Sequence, residues 1–161
     1  MPQIDIATDI PTPEDVYGVG TVCRIKQMMK QPGSKTVRVM AEGIERGRTL
    51  AVRTDMPCFV AEVEPMPDVA ERKTARIEAL IRHCCNLFDA YVTVSGNMAP
   101  ESVITVLGST NAGFVSNFIA QHVFLRPEQK QELLEQTRPS CRLTLLSKIC
   151  LLYTSPSPRD T

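Results

Sequence analysis

The sequence predicts an α+β fold: an antiparallel sheet in the amino-terminal part, followed by a bundle of four or five helices. Three observations carry this expectation. Side chains of alternating character run from Val19 to Lys30 and again from Thr36 to Arg46, the two-residue period of β-structure. Pro57, Pro65 and Pro67 then punctuate the chain and close off the β part. Beyond Asp68 the apolar spacing changes to steps of three and four, through Ile77, Leu80, Ile81, Cys84, Leu87, Phe88 and Tyr91, which places one apolar stripe on a long helix.

The elements follow in order. Residues 7–18, with Pro11, Pro13 and the acidic pair Glu14–Asp15, read as a loop leading into the first strand. In that strand Cys23, Ile25, Gln27 and Met29 share one face, and Val22, Arg24, Lys26 and Met28 the other. In the second, Val37, Val39 and Ala41 oppose Thr36, Arg38 and Met40. Burying the odd-numbered faces together requires odd to pair with odd, hence an odd loop, and Pro32-Gly33-Ser34 fits a three-residue hairpin with Gly33 at positive φ. A one-residue slip would turn Val37 and Val39 over. Gly43 and Gly47 flank an expected bend, after which Thr49–Arg53 and Phe59–Glu64 read as two further short strands.

The first helix is expected from Asp68 or Glu71 to about Val94, with Gly96 as its stop. Pro100 opens a second through Val106, ended by Gly108. Thr110 or Asn111 caps a third that carries Phe114, Val115, Phe118, Ile119 and His122 on one side. Pro127 opens a fourth with Leu133 and Leu134 facing the bundle, and Ser140–Ile149 completes the set with Leu143, Leu146 and Ile149. Connections this short suit a bundle. The expected organisation is a β subdomain over 1–67, a helical subdomain over 68–149, and a tail over 150–161. The Ser-Pro repeat in that tail cannot extend a helix and looks like translated vector or adapter sequence.

Composition narrows the function classes. Eighteen basic residues balance eighteen acidic ones, only 5% of residues are aromatic and there is no Trp. Nucleic-acid binding, which favours a basic excess and stacking rings, is therefore not expected. No run approaches the ~20 apolar residues of a membrane span. Met1 to Ile6 show no secretory pattern. The six cysteines form no C-x-x-C pair, which suits a reduced, cytoplasmic protein. His83-Cys84-Cys85 cannot converge on one metal from a regular helix, since neighbouring side chains there diverge by about 100°.

Catalytic constellations are equally missing. No G-x-x-x-x-G-K-[ST] loop occurs, and Gly18-Val19-Gly20 enters a strand without the third glycine of a dinucleotide site. Ser147-Lys148 are helical neighbours that diverge, and Ser102 and Ser116 have no evident base. His122 reads as a core-edge residue, and Glu42 and Glu45 read as salt-bridge partners of Arg46 and Arg48 at a turn. Neither a catalytic centre nor a cofactor or metal site is expected in this chain.

As a sequence, Val19-Gly20-Thr21-Val22-Cys23-Arg24-Ile25-Lys26-Gln27-Met28 followed by Val37-Arg38-Val39-Met40-Ala41-Glu42-Gly43-Ile44-Glu45-Arg46 resembles the amino-terminal domain of the ATP-dependent Lon protease family, with its "VGTVARIKQM" and "VRVLVEGLERAR" patterns. Arg126 to Glu135 is similar to that family's "KQELLE" helix, and Arg142-Leu143 to its "RL" helix. The resemblance runs from about residue 12 to Ile149. It implies a PUA-like antiparallel barrel or sheet before the helices, only part of which this chain would supply. Family members begin further upstream, with strands whose loss would leave a sheet edge and an apolar face uncovered. It also implies recognition of unfolded or damaged protein substrates. In the intact parent it implies a homohexamer, ATP and magnesium, and serine endopeptidase activity, none of it encoded here.

Within this frame, the register above places Met28 opposite Arg38 and Met40 near Arg24. Methionine is flexible and polarisable, and suits adaptable client binding. Met28, Met40, Arg24 and Arg38 are therefore the candidate substrate-binding residues, the alternative being that both methionines pack under a helix or a neighbouring subunit. The rival functional reading is a stand-alone binding module of Lon or PUA-like type for a small ligand, a partner protein or RNA.

Overall fold

The computed structural model describes residues 1–96 and 98–154. The chain forms two compact units, Met1–Pro67 and a second from Asp68 onward. Three antiparallel strands in the order β1-β2-β3 make the first, and five helices the second, a mixed α+β fold.

Strand β1 (Val19–Lys30) and β2 (Val37–Arg53) form a long hairpin, and β3 (Val60–Pro65) pairs with the far end of β2. The connection between β1 and β2 differs from the expected three residues. Ser34 N–H donates to Gln31 C=O at 3.2 Å, closing a turn with Pro32 and Gly33 at its centre and Gly33 at φ +79°, as a type II turn requires. Thr36, expected in the strand, instead donates its N–H to Ser34 Oγ at 3.1 Å. The loop therefore spans 31–36, an even number of residues, and the turn-proximal register pairs Met28 with Val39 and Met29 with Arg38. Two hydroxyls that prefer local hydrogen bonds to the ladder moved the register by one residue.

The expected bend at Gly43 and Gly47 is also absent. β2 continues through both as one strand, absorbing irregularities at Ile44 and Leu50. Gly47 serves close approach: a Cβ there would overlap Val63 Cγ1 of β3. Ahead of β1, Gln3 bridges Val16, and Pro13–Asp15 form one 3₁₀ turn.

In the helical unit, α1 is Ala75–Ser95, α2 Pro100–Leu107, α3 Ala112–His122, α4 Pro127–Glu135 and α5 Pro139–Thr154. Helix α1 starts later than Asp68 or Glu71 because Thr74 is its cap, accepting Ile77 N–H at 3.2 Å; Gly96 ends it at φ +65°. Asn111 rather than Thr110 caps α3, accepting Phe114 N–H at 3.0 Å. The core gathers Ile81, Cys84 and Phe88 from α1, Val106 from α2, Val115 and Ile119 from α3, Leu133 from α4 and Leu143 and Leu146 from α5. Phe88, fully buried, meets the Phe118 ring edge to face at 6.0 Å. Leu134 is only partly covered and His122 is exposed, its Nδ1 2.8 Å from Phe118 C=O.

Helix α5 runs five residues past the expected stop at Ile149, and Cys150 is buried in the core. Residues 150–154 therefore belong to the helix rather than to a tail, while 155–161 lie outside the described residues.

Two carboxylates from the segment before α1 fix α5. Asp68 accepts from both terminal nitrogens of Arg142, at 2.8 and 2.7 Å. The Arg142 guanidinium, buried, also donates to Gln136 C=O at 2.8 Å and to Ser116 Oγ at 3.1 Å. Glu71 accepts from Ser140 N–H at 2.8 Å and from its hydroxyl at 2.5 Å, so a carboxylate sits at the positive end of α5.

Candidate functional site

The sheet carries the surface that stands out. Ile25, Met28, Met29, Val37, Val39, Met40, Ile44 and Leu50 are all exposed, on a hairpin whose β1 and β2 side chains are exposed almost throughout. Cross-strand partners share a face, so the register sorts these residues into two sets. One face carries Ile25, Met28, Val37 and Val39. The other carries Arg24, Gln27, Met29, Arg38, Met40 and Glu42, from the pairs Arg24↔Glu42, Gln27↔Met40 and Met29↔Arg38.

This corrects the expected face of one candidate. Met40, Arg24 and Arg38 lie on one face as expected, but Met28 lies on the opposite one, beside Val39. Met29 takes its place. Sequence reasoning missed Met29 because it assigned the loop an odd length; the signal was the Ser34-x-Thr36 hydroxyl pair, which closes the loop on itself. The insertion of Lys26, where β1 shifts register between Ile25 and Gln27, then returns Arg24 to the face of Met40.

The electrostatics of the hairpin are local. From Val19 to Arg53 eight basic side chains stand against two acidic ones, a net charge of +6 in a chain that balances as a whole. Glu42 pairs with Lys26 at 2.7 Å, across the strands rather than with Arg46 or Arg48. Arg24 and Arg38 are exposed and make no ion pair among the described residues.

Ser116 Oγ donates to Gly113 C=O at 3.0 Å and accepts from Arg142 of α5, and Ser147 Oγ donates to Thr144 C=O at 2.8 Å, so both hydroxyls are engaged in structural hydrogen bonds. Burial pushes the Cys84 thiol up to about 12 and that of Cys150 up to about 11, which leaves them inert as nucleophiles near neutrality. Among the described residues no three His, Cys, Asp or Glu side chains are placed to hold a metal, and no helix is long and apolar enough to cross a membrane.

Comparison with known proteins matches this architecture. The family model of the ATP-dependent protease La (LON) substrate-binding domain matches residues 1–150. The chain is 37% identical over 148 residues to the Lon protease of Desulforamulus reducens, and 36% identical over 147 residues to that of Syntrophomonas wolfei. These matches cover 92% and 91% of this chain, and 18% of each relative's length. In fold it is similar to the N-terminal domain of the Mycobacterium avium complex Lon protease, with a TM-score of 0.68, 23% identity, and coverage of 91% of this chain and 75% of that one. The Lon N-terminal domain protein of Xanthomonas campestris gives a TM-score of 0.53 at 23% identity. By its sequence, supported by its two-unit α+β fold, this chain belongs to the family of Lon protease substrate-binding domains.

Proposed function

We propose that this chain recognises unfolded or damaged polypeptides for a cytoplasmic, ATP-dependent Lon serine protease, which degrades them elsewhere in its own longer chain. The observation that carries this reading is the exposed hairpin, where methionines and β-branched residues lie open on both faces of a two-stranded ribbon. Flexible apolar side chains can repack around many sequences, whereas a shaped pocket would select a few. In the parent, ATP and magnesium would drive translocation, and a homohexamer would present several such domains to one client; the given sequence contains no G-x-x-x-x-G-K-[ST] phosphate loop.

Fluorescence anisotropy with a labelled, permanently unfolded polypeptide tests the reading, on a sample first shown to melt cooperatively. Saturable binding that native protein does not compete away is the expected result. A folded sample that leaves the anisotropy unchanged would refute client recognition by this chain.

A further inference from the structure

We propose that the hairpin face carrying Arg24, Met29, Arg38 and Met40 is a docking strip for extended polypeptide segments in which carboxylates alternate with apolar side chains. The inference rests on the polypeptide-binding reading above and adds the class of segment preferred.

Charge complementarity selects the occupant. The hairpin as a whole holds a net +6; on this face Glu42 is paired with Lys26 at 2.7 Å, and Glu45, opposite Val22, stands at the end of the face remote from Arg38. Arg24 and Arg38 are left exposed without an ion-pair partner among the described residues. The spacing selects its conformation. Arg38 and Met40 alternate along β2 as basic and apolar side chains on one face, with Met29 directly across from Arg38. Residues two apart in a strand lie about 7 Å apart, and an extended ligand repeats at the same distance. A segment with a carboxylate at one position and an apolar side chain two further on therefore meets Arg38 and Met40 together. The face carries no aromatic ring on which bases could stack, which favours a peptide over a single-stranded nucleic acid.

The test uses the whole chain and three labelled unfolded peptides of equal length and apolar content, whose alternating polar positions are Glu, Ser or Lys. The Glu peptide should bind about tenfold more tightly than the Ser peptide, as two exposed ion pairs supply, and added salt should erase the difference. Arg24→Glu/Arg38→Glu should reverse the order, so that the Lys peptide binds best. Equal binding of the Glu and Ser peptides, or a preference that survives the double reversal, overturns the inference while leaving general polypeptide recognition intact. Single-stranded DNA that displaces the Glu peptide and binds more tightly than it does would also overturn it, assigning the strip to a polyanion. Binding of none of the three by a folded sample removes the proposed function along with it.

Discussion

Replacing Asp68 with Ala should destabilise the helical unit by about 2–3 kcal/mol, a figure set by how unequally the ion pair is buried. The Arg142 guanidinium is 2% exposed and the Asp68 carboxylate 34% exposed. Breaking a fully buried pair costs about 3–5 kcal/mol because the survivor keeps its charge without compensation. A wholly exposed pair contributes under about 1 kcal/mol. Asp68 lies between, with water reaching one side, and Arg142 retains Gln136 C=O and Ser116 Oγ, so the estimate falls below the buried range. For a unit of about 90 residues, an unfolding entropy of ~2 cal/mol/K per residue converts this to a drop of roughly 10–15 °C. Ellipticity at 222 nm reads it selectively, since the described helices of eight or more residues all lie in that unit. Asp68→Ala/Arg142→Met should recover much of the loss, because Met fills the site and strands no charge. A shift below about 3 °C for the single variant, or a double variant no better than the single, would show that solvent screens the pair and that α5 is held by packing alone.

Phe88→Ala removes a ring with no exposed surface and its contact with Phe118, and should cost about 3–5 kcal/mol in chemical denaturation. Gly47→Ala drives a methyl into Val63 Cγ1 and should destabilise the sheet by about 1 kcal/mol; hydrogen exchange along β2 and β3 reports it, and adding Val63→Ala should reverse it. Cys23 and Cys58, both exposed, should react quickly with a thiol reagent, while Cys84, Cys85 and Cys150 react only on unfolding. For Cys84 and Cys150 the folded values lie above the ordinary 9.0, at about 12 and about 11. The unfolded chain therefore releases these protons first, and stability should hold up to about pH 9 and fall from there to about pH 12; denaturant midpoints that stay level across that window would contradict the burial of both thiols.

Much of this was legible in local chemistry. The helices announce themselves by spacing and caps: Pro100 and Pro127 at first turns, Asn111 and Gly96 at an entry and an exit, and the stripe from Ile77 to Tyr91. The hairpin and its Pro32-Gly33 turn follow from alternation and from the one residue that tolerates φ +79°. These features depend on neighbours within a few positions, so a sequence read residue by residue contains them. Family membership was legible for a related reason, since the hairpin motif is contiguous.

Tertiary structure decided what depends on distant atoms. The face on which Met28 or Met29 lies turned on whether Thr36 pairs across the ladder with β1 or bonds back to Ser34. Gly43 and Gly47 resemble bend signals, yet only the approach of Val63 from β3 explains why position 47 excludes a side chain. Asp68 and Glu71 read as the first turn of a helix, but their carboxylates bind Arg142 and Ser140, some seventy positions away. Helix α5 outran its expected stop because Cys150 is buried among residues of the bundle core. For Asp68, Glu71, Gly47 and Cys150 the deciding atoms belong to residues far along the chain, and only the assembled fold brings them within hydrogen-bond or van der Waals range.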